Sequence, residues 1–290
     1  MMKTSTACRI HQELVEKRET TCNICGSGES RLTVTVGGCN YVRCSVCGVE
    51  RMAEYPTESE TREFYAKGYM TKKFNDLGHH IHFTPEYRSA YFAEKDLTFS
   101  DLKMDLKKYS GKSLLDVGCA NGQFIEYAGR FGIKALGIDI SDEMVGEARK
   151  NGLNCKVTDL FDLDGEYDVV TFWDVVEHVT DPRAVLEKAR TLLKPGGEVV
   201  IQTPCTGMVS ELFGEKWLYY LPVQHVHLFS QEALFSLLSE TGYSIKSWVR
   251  FGSCNPKGSI PDTNKRAIDT IVKRTGLGDT IVVRAAATEE

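Results

Sequence analysis

The chain predicts an α/β protein: a parallel sheet covered on both faces, behind a small cysteine-rich module and a helical stretch. Three observations carry that expectation. From Ser113 onward, short apolar runs alternate with amphipathic segments, the pattern of strands joined by crossover helices. The first apolar run ends in a turn of small residues, Gly118-Cys119-Ala120-Asn121-Gly122. Near the front stand two paired cysteines, Cys22-Asn-Ile-Cys25 and Cys44-Ser-Val-Cys47.

The cysteine pairs lie 18 residues apart, and each is followed by glycine, Gly26 and Gly48. Close spacing lets two thiolates of one turn grip the same face of an ion, and the glycine relieves the tight backbone. Four soft thiolates suit tetrahedral Zn²⁺ with no open position, so residues 21–56 are expected to form a structural zinc ribbon. Two redox pairs are the weaker reading, because no βαβ pattern surrounds either one. Cys39 reads as a bystander or a substitute ligand. "RLTVTV" and "YVRC" read as strands around the turn Gly37-Gly38. Residues 1–20 form a tail without the apolar stretch of a signal peptide. No run approaches membrane-spanning length, and a cytoplasmic, membrane-free protein is expected.

Residues 57–110 read as a helical linker or lid. Thr57-x-x-Glu60 resembles a capping box, and Thr84-Pro85-Glu86 an N-cap followed by proline. Between them lies a polar stretch with His79, His80 and His82, read as a solvated loop or a small metal cluster. The α/β part, residues 111–290, follows as strand "SLLDVG", helix "GQFIEYAGRFG", strand "KALGID" and helix "SDEMVGEARKNG". "CKVTD", "YDVVTFW", helix "DPRAVLEKARTLLKPGG" and strand "EVVIQTP" come next. Two late strands, "YSIKSWVRF" and "DTIVVRAAA", flank a polar insertion at 255–278.

In such a sheet the ligand sits beyond the carboxyl ends of the central strands. Small residues at 118, 120 and 122 admit a ligand close to the backbone, and the next helix offers free N–H groups. A dinucleotide fingerprint would be G-x-G-x-x-G; here the spacing is G-x-A-x-G, with Asp116 two residues before the first glycine. A carboxylate there suits an ammonium better than a pyrophosphate. Asp139, ending the next strand, can accept from two ribose hydroxyls.

These stretches together resemble the class I S-adenosylmethionine-dependent methyltransferases. "LLDVGCANGQF", "ALGIDIS", "KVTDLFDL", "YDVVTFWDVVEHVTDP" and "LLKPGGEVVIQTP" are similar to that family's successive motifs, over roughly Lys112 to Ala287. The resemblance implies a Rossmann-like seven-stranded sheet whose last antiparallel strand inserts beside its neighbour. It implies S-adenosylmethionine, with Asp116, Gly118, Ala120 and Gly122 at the methionine end and Asp139 and Ile140 at the ribose. Asp159 and Leu160 would face the adenine, and Trp173 the pocket floor. Ala120 replaces the family's usual middle glycine.

A sulfonium methyl is already activated, so alignment of acceptor, methyl and sulfur matters most, and a base only for a protonated acceptor. Candidates stand in two places. Glu177-His178 follows the fourth strand and reads as base, acceptor contact, or packing at a helix start. "WLYYLPVQHVHLFS" follows the fifth. In an extended stretch His225 and His227 project to one side. His225 is the candidate general base; the alternative is a metal pair of the two histidines, for which no third ligand is apparent. Tyr219, Tyr220 and Trp217 read as walls of the acceptor pocket beside His227. One histidine can instead brace the turn into the next helix, capped by Ser230. Asp174 is a further option near the methyl.

Net charge is −5, so no overall positive field draws the chain to nucleic acid. Between Cys22 and Glu63, four arginines face six glutamates, the reverse of a phosphate-binding surface. An RNA methyltransferase using its ribbon is therefore the alternative reading, and a non-enzymatic scaffold a further one. A ribbon followed by "FYA..Y" resembles bacterial small-molecule methyltransferases, distantly the sugar C-methyltransferases. In that group a histidine after the fifth strand helps deprotonate the sugar. Gln224 stands where an acid is common there, and that group's long C-terminal domain is not in this sequence. The expected acceptor is a hydroxyl, before an amine or carbon, of a small metabolite or sugar-type molecule.

Overall fold

The computed structural model describes residues 21–57, 59, 84–253 and 261–288. Strands β1 (Ser30–Val36) and β2 (Cys39–Cys44) pair antiparallel across Gly37-Gly38, both at positive φ as the tight turn requires. β3 (Glu50–Met52) adds to β2. Helix α1 (Pro85–Asp101) starts where Thr84 accepts from the Tyr87 N–H at 3.3 Å, with proline in its first turn. Lys95, Thr98, Phe99 and Leu102 are buried at i, i+3, i+4 and i+7, so one face of α1 lies on the sheet.

The α/β part continues as β4 (Ser113–Val117), α2 (Gln123–Gly129), β5 (Lys134–Asp139), α3 (Asp142–Lys150), β6 (Cys155–Val157) and β7 (Tyr167–Trp173). It goes on as α4 (Pro182–Thr191), β8 (Leu193–Pro204), α5 (Met208–Phe213), β9 (His227–Leu228), α6 (Gln231–Glu240), β10 (Tyr243–Phe251), α7 (Asp262–Thr275) and β11 (Thr280–Ala287). Seven strands form one sheet in the order β10-β11-β8-β7-β4-β5-β6. β8 through β6 run parallel, while β11 is antiparallel to both β8 and β10. The chain winds one way from β4 through β6 and then the other way from β7, so a crevice opens at the carboxyl ends of β4 and β7. Leu115, Val170, Phe172, Val199, Val200 and Ile201 are fully buried, because helices cover both faces of the central strands.

Two elements differ from the sequence reading. The helix expected through Gly197 stops at Thr191. β8 begins at Leu193, pairs with Tyr167, and then shifts register before Glu198 meets Val169. Pro195, which lacks an N–H, and Gly196, at φ +71°, fall in that shift and end the helical pattern. The insertion read as polar carries helix α7, closed by Gly276 in the left-handed region. His79, His80, His82 and Glu60 lie outside the described residues, as does "FYA..Y". Among the described residues no helix is long and apolar enough to cross a membrane.

Candidate active site

The loop after β4 is folded by its own backbone. Gly118 and Cys119 both donate to the Ile138 carbonyl, at 2.8 and 3.0 Å, which ties the loop to the end of β5. Gly118, Ala120 and Gly122 all have positive φ, at +71°, +46° and +80°. Two of these small residues answer to protein neighbours rather than to ligand space. A Cβ at Gly118 would sit 2.6 Å from Val175 Cγ2, and one at Gly122 only 2.7 Å from Leu153 Cδ1. Ala120 tolerates the left-handed conformation, and its N–H donates to Asp139 Oδ2 at 2.9 Å.

Two carboxylates stand at this crevice. Asp116 is 2% exposed and accepts from Thr171 Oγ1 at 2.7 Å. Burial pushes its carboxyl up to about 7, against the opposing pull of the Thr171 hydrogen bond and the Lys95 ammonium. Asp139 accepts from Ala120 N and, at 2.8 Å, from Ser141 N. Each of its oxygens keeps a lone pair for a further donor. Asp159 caps the turn at Leu160–Asp162 by accepting from Phe161 N at 3.0 Å, and Leu160 is buried beneath it. Ile140 is half-buried between Asp139 and Ser141.

Trp173 ends β7 with its indole Nε1 buried and without a hydrogen-bond partner. Lys95, reaching in from α1, places its ammonium 3.7 Å from the centre of that ring and donates to Gln202 Oε1 at 3.1 Å. Gln202 in turn donates to Asp174 Oδ2 at 2.7 Å. Asp174 has φ +54°, a backbone strain held at the mouth of the crevice. Lys95 was not foreseen, although a lysine sharing the helical stripe of Thr98, Phe99 and Leu102 is a readable signal.

The histidines separate into two kinds. His227 is fully buried; its Nδ1 meets the Val179 carbonyl at 3.0 Å and its Nε2 the Tyr55 hydroxyl at 3.2 Å. Burial draws its imidazole down to about 3, so it stays neutral and braces the fold. His225 and His178 face each other with ring centres 4.8 Å apart. Each directs Nδ1 at a carbonyl 2.7 Å away, His225 at Tyr219 and His178 at Gln224. Glu177 lies beneath them, completely buried. Its Oε2 accepts from Thr203 Oγ1 at 2.9 Å.

Tyr219 stacks on His225 with centroids 6.0 Å apart, and its hydroxyl lies 3.0 Å from Thr280 Oγ1. The expectation that Tyr220 and His227 line the acceptor pocket is corrected. Tyr220 donates its hydroxyl to Glu50 Oε2 of the ribbon at 2.7 Å, and both nitrogens of His227 are engaged by protein. The shared direction of His225 and His227 fails because only His227 is in a strand, while His225 closes a turn on the Leu221 carbonyl.

Cys22, Cys25, Cys44 and Cys47 converge with their sulfurs within 4.8 Å of one another. Cys22 and Cys47 are 3.6 Å apart, and Cys25 and Cys44 3.5 Å. Tetrahedral sulfurs about 2.3 Å from a zinc ion are about 3.8 Å apart, so this donor set fits Zn²⁺. Gly26 and Gly48 follow at φ +75° and +76°, in the positions where the knuckles need them. Cys39 stands apart in the cluster of Tyr41 and Trp217.

The ribbon is joined to the loop that carries the histidines. β3 pairs with β9, matching Arg51 to His227, and so makes a four-stranded sheet. Tyr41 donates to the His225 carbonyl at 3.0 Å, and Met52 N to the Val226 carbonyl at 3.0 Å. Asn23 and Arg183 bridge the first knuckle to the Thr180 and Ile24 carbonyls. The described ribbon holds the segment 219–228.

Comparison with known proteins adds the family. A family model described as a methyltransferase domain matches residues 86–247, more than half of the chain. The chain belongs to that methyltransferase domain family. Among curated relatives, the ubiquinone biosynthesis O-methyltransferase of Paraburkholderia xenovorans is 38% identical over 114 residues, 36% of this chain and 49% of that protein. The namesake from Erwinia tasmaniensis is 39% identical over 105 residues, 32% of this chain and 42% of that protein. The chain spans about half the length of these relatives.

The methyltransferase fold is also seen in solved structures. A SAM-dependent methyltransferase from Archaeoglobus fulgidus aligns at 20% identity and TM-score 0.50, over 69% of this chain and 94% of that one. The magnesium protoporphyrin IX methyltransferase of Synechocystis, with bound SAH, aligns at 16% identity and TM-score 0.53, over 80% and 100%. The α/β class with a seven-stranded class I methyltransferase sheet, expected from the sequence, is the fold observed.

Proposed function

We propose that this chain binds S-adenosylmethionine across the ends of β4 and β5 and transfers its methyl group to a hydroxyl oxygen of a small-molecule acceptor. The observation that carries this reading is the pair Asp116, in β4, and Asp139, at the end of β5, which flank the left-handed Gly118–Gly122 loop, with Asp116 buried and its carboxyl raised by burial despite the Lys95 ammonium. A ligand ammonium would supply a further counter-charge. The remaining lone pairs of Asp139 suit ribose hydroxyls, with Ile140 packing beside them. Gly118, Ala120 and Gly122 keep the backbone low at the methionine end, Asp159 and Leu160 face the adenine, and Trp173 with its unpartnered Nε1 floors the pocket. The ubiquinone-pathway O-methyltransferases among the relatives favour oxygen over nitrogen or carbon.

When bound, the cofactor supplies a methyl on a sulfonium whose sulfur retains the C–S bonding pair. The protein has to hold the acceptor in line, keep water out and take one proton. α1 closes over Trp173 with Phe99 and Lys95, which excludes water from that side. As the acceptor oxygen attacks, its proton passes to an imidazole, for which His225 is the assigned base and His178 its neighbour. Tyr219 positions His225 through its carbonyl and ring.

The four thiolates of residues 21–56 are assigned one structural Zn²⁺, which holds the ribbon against the histidine loop. Residues 57–110 are assigned as linker and lid, and 111–290 as the methyl-transfer domain. Calorimetric titration with S-adenosylhomocysteine tests the reading: one site per chain, with binding lost in Asp116→Ala, supports it. Absence of binding in the wild-type protein, or unchanged binding in the variant, overturns it.

A further inference from the structure

Glu177 poses a question that methyl transfer alone does not answer. Its carboxylate is wholly buried, one oxygen is held by Thr203, and the other, Oε1, has no hydrogen-bond partner. That oxygen lies 4.0 Å from His178 Nε2. Glu177, His178 and His225 each offer one ligand atom, and these atoms all lie within 4.8 Å of one another.

The imidazoles are set as metal ligands are. Each Nδ1 points at a main-chain carbonyl 2.7 Å away, which fixes the proton on Nδ1 and leaves Nε2 as the electron-pair donor. Both anchoring carbonyls, of Gln224 and Tyr219, belong to the loop gripped by the ribbon. Glu177 is fixed independently: its own carbonyl accepts from Val226 N at 2.8 Å and His227 N at 3.1 Å. His178, with 21% of its side chain exposed, leaves a way in from solvent.

We propose that Glu177, His178 and His225 bind a divalent first-row transition cation through Oε1 and the two Nε2 atoms. Two imidazoles and one carboxylate suit such ions, and three protein ligands leave coordination open for an acceptor oxygen. Donors about 2.0–2.2 Å from an ion lie about 3 Å apart, so the side chains close by about 1–2 Å on binding. The site differs from the thiolate site in donor type and in having an open face. The cation's role in catalysis rests on the proposed methyl transfer. There, an acceptor hydroxyl on the cation releases its proton to solvent and keeps its electron pair on oxygen for the methyl carbon. His225 then acts as a ligand rather than as the base.

The test uses full-length protein with zinc in the thiolate site and Mn²⁺ as the probe. Electron paramagnetic resonance is expected to report one bound Mn²⁺ per chain with ¹⁴N coupling from imidazole. Glu177→Gln and His178→Ala should each weaken binding on the order of tenfold or more, and His178→Ala should reduce the nitrogen coupling. S-adenosylhomocysteine affinity, measured on the same samples, should hold in both variants, which separates ligand loss from misfolding. No Mn²⁺ binding at millimolar concentration, binding without nitrogen coupling, or unchanged affinity in both variants overturns the proposal. Failure of the methyl-transfer reading shows separately, as loss of S-adenosylhomocysteine binding while Mn²⁺ still binds.

Discussion

Raising the pH from 6 to 7.5 should tighten S-adenosylhomocysteine binding about eightfold. Burial holds the Asp116 carboxyl near 7, so at pH 6 most of the unliganded protein carries a proton there. Only the carboxylate form can receive the ligand ammonium. The apparent dissociation constant therefore scales with the sum of protonated and ionised forms over the ionised form, about 11 at pH 6 and about 1.3 at pH 7.5. The sign follows from the raised value: a proton is favoured in the free site and is expelled on binding. Calorimetry at pH 6 in two buffers of different ionisation enthalpy should show about 0.9 proton released per ligand bound. Asp116→Asn should bind weakly, with most of this slope gone. A flat affinity in the wild-type protein, or the same slope in Asp116→Asn, refutes the assignment of the ammonium to Asp116.

Gly122→Ala should cost roughly 1–3 kcal/mol, because a Cβ at φ +80° meets Leu153 and Ala148; a thermal melt unchanged within a degree would refute this. Tyr220→Phe leaves Glu50 of the ribbon without one donor and should cost about 1–3 kcal/mol in a denaturant melt, with S-adenosylhomocysteine affinity unchanged. Removing a thiolate with Cys25→Ser should lower zinc below one per chain and speed amide exchange across residues 219–228, which the ribbon holds. Zinc retained, or exchange unchanged, would count against the bracing role.

The sheet was legible because its signals are local. Apolar runs with two-faced burial, the Ser141 and Ser230 caps, and the Gly118–Gly122 turn all stand within a few residues of the atoms they serve. The paired cysteines were legible for the same reason, since each knuckle is complete in four residues. What escaped was long-range. Lys95 reaches Gln202 across 107 positions, and Tyr220 reaches Glu50 across 170; no spacing rule encodes such partners. The sequence paired His225 with His227 as possible ligands; in the structure His225 is instead grouped with Glu177 and His178. That grouping required the turn that brings His225 to them. His225 and His227, two apart in the chain, were expected to share a direction; the boundary of a two-residue strand sent them apart.

A crystal structure of the protein with S-adenosylhomocysteine would show directly which carboxylate receives the ligand ammonium. The ammonium is expected on Asp116, the ribose on Asp139 and the sulfur facing the His178–His225 side of the crevice. A nucleoside bound elsewhere, or in the crevice with its ammonium away from Asp116, would contradict this placement.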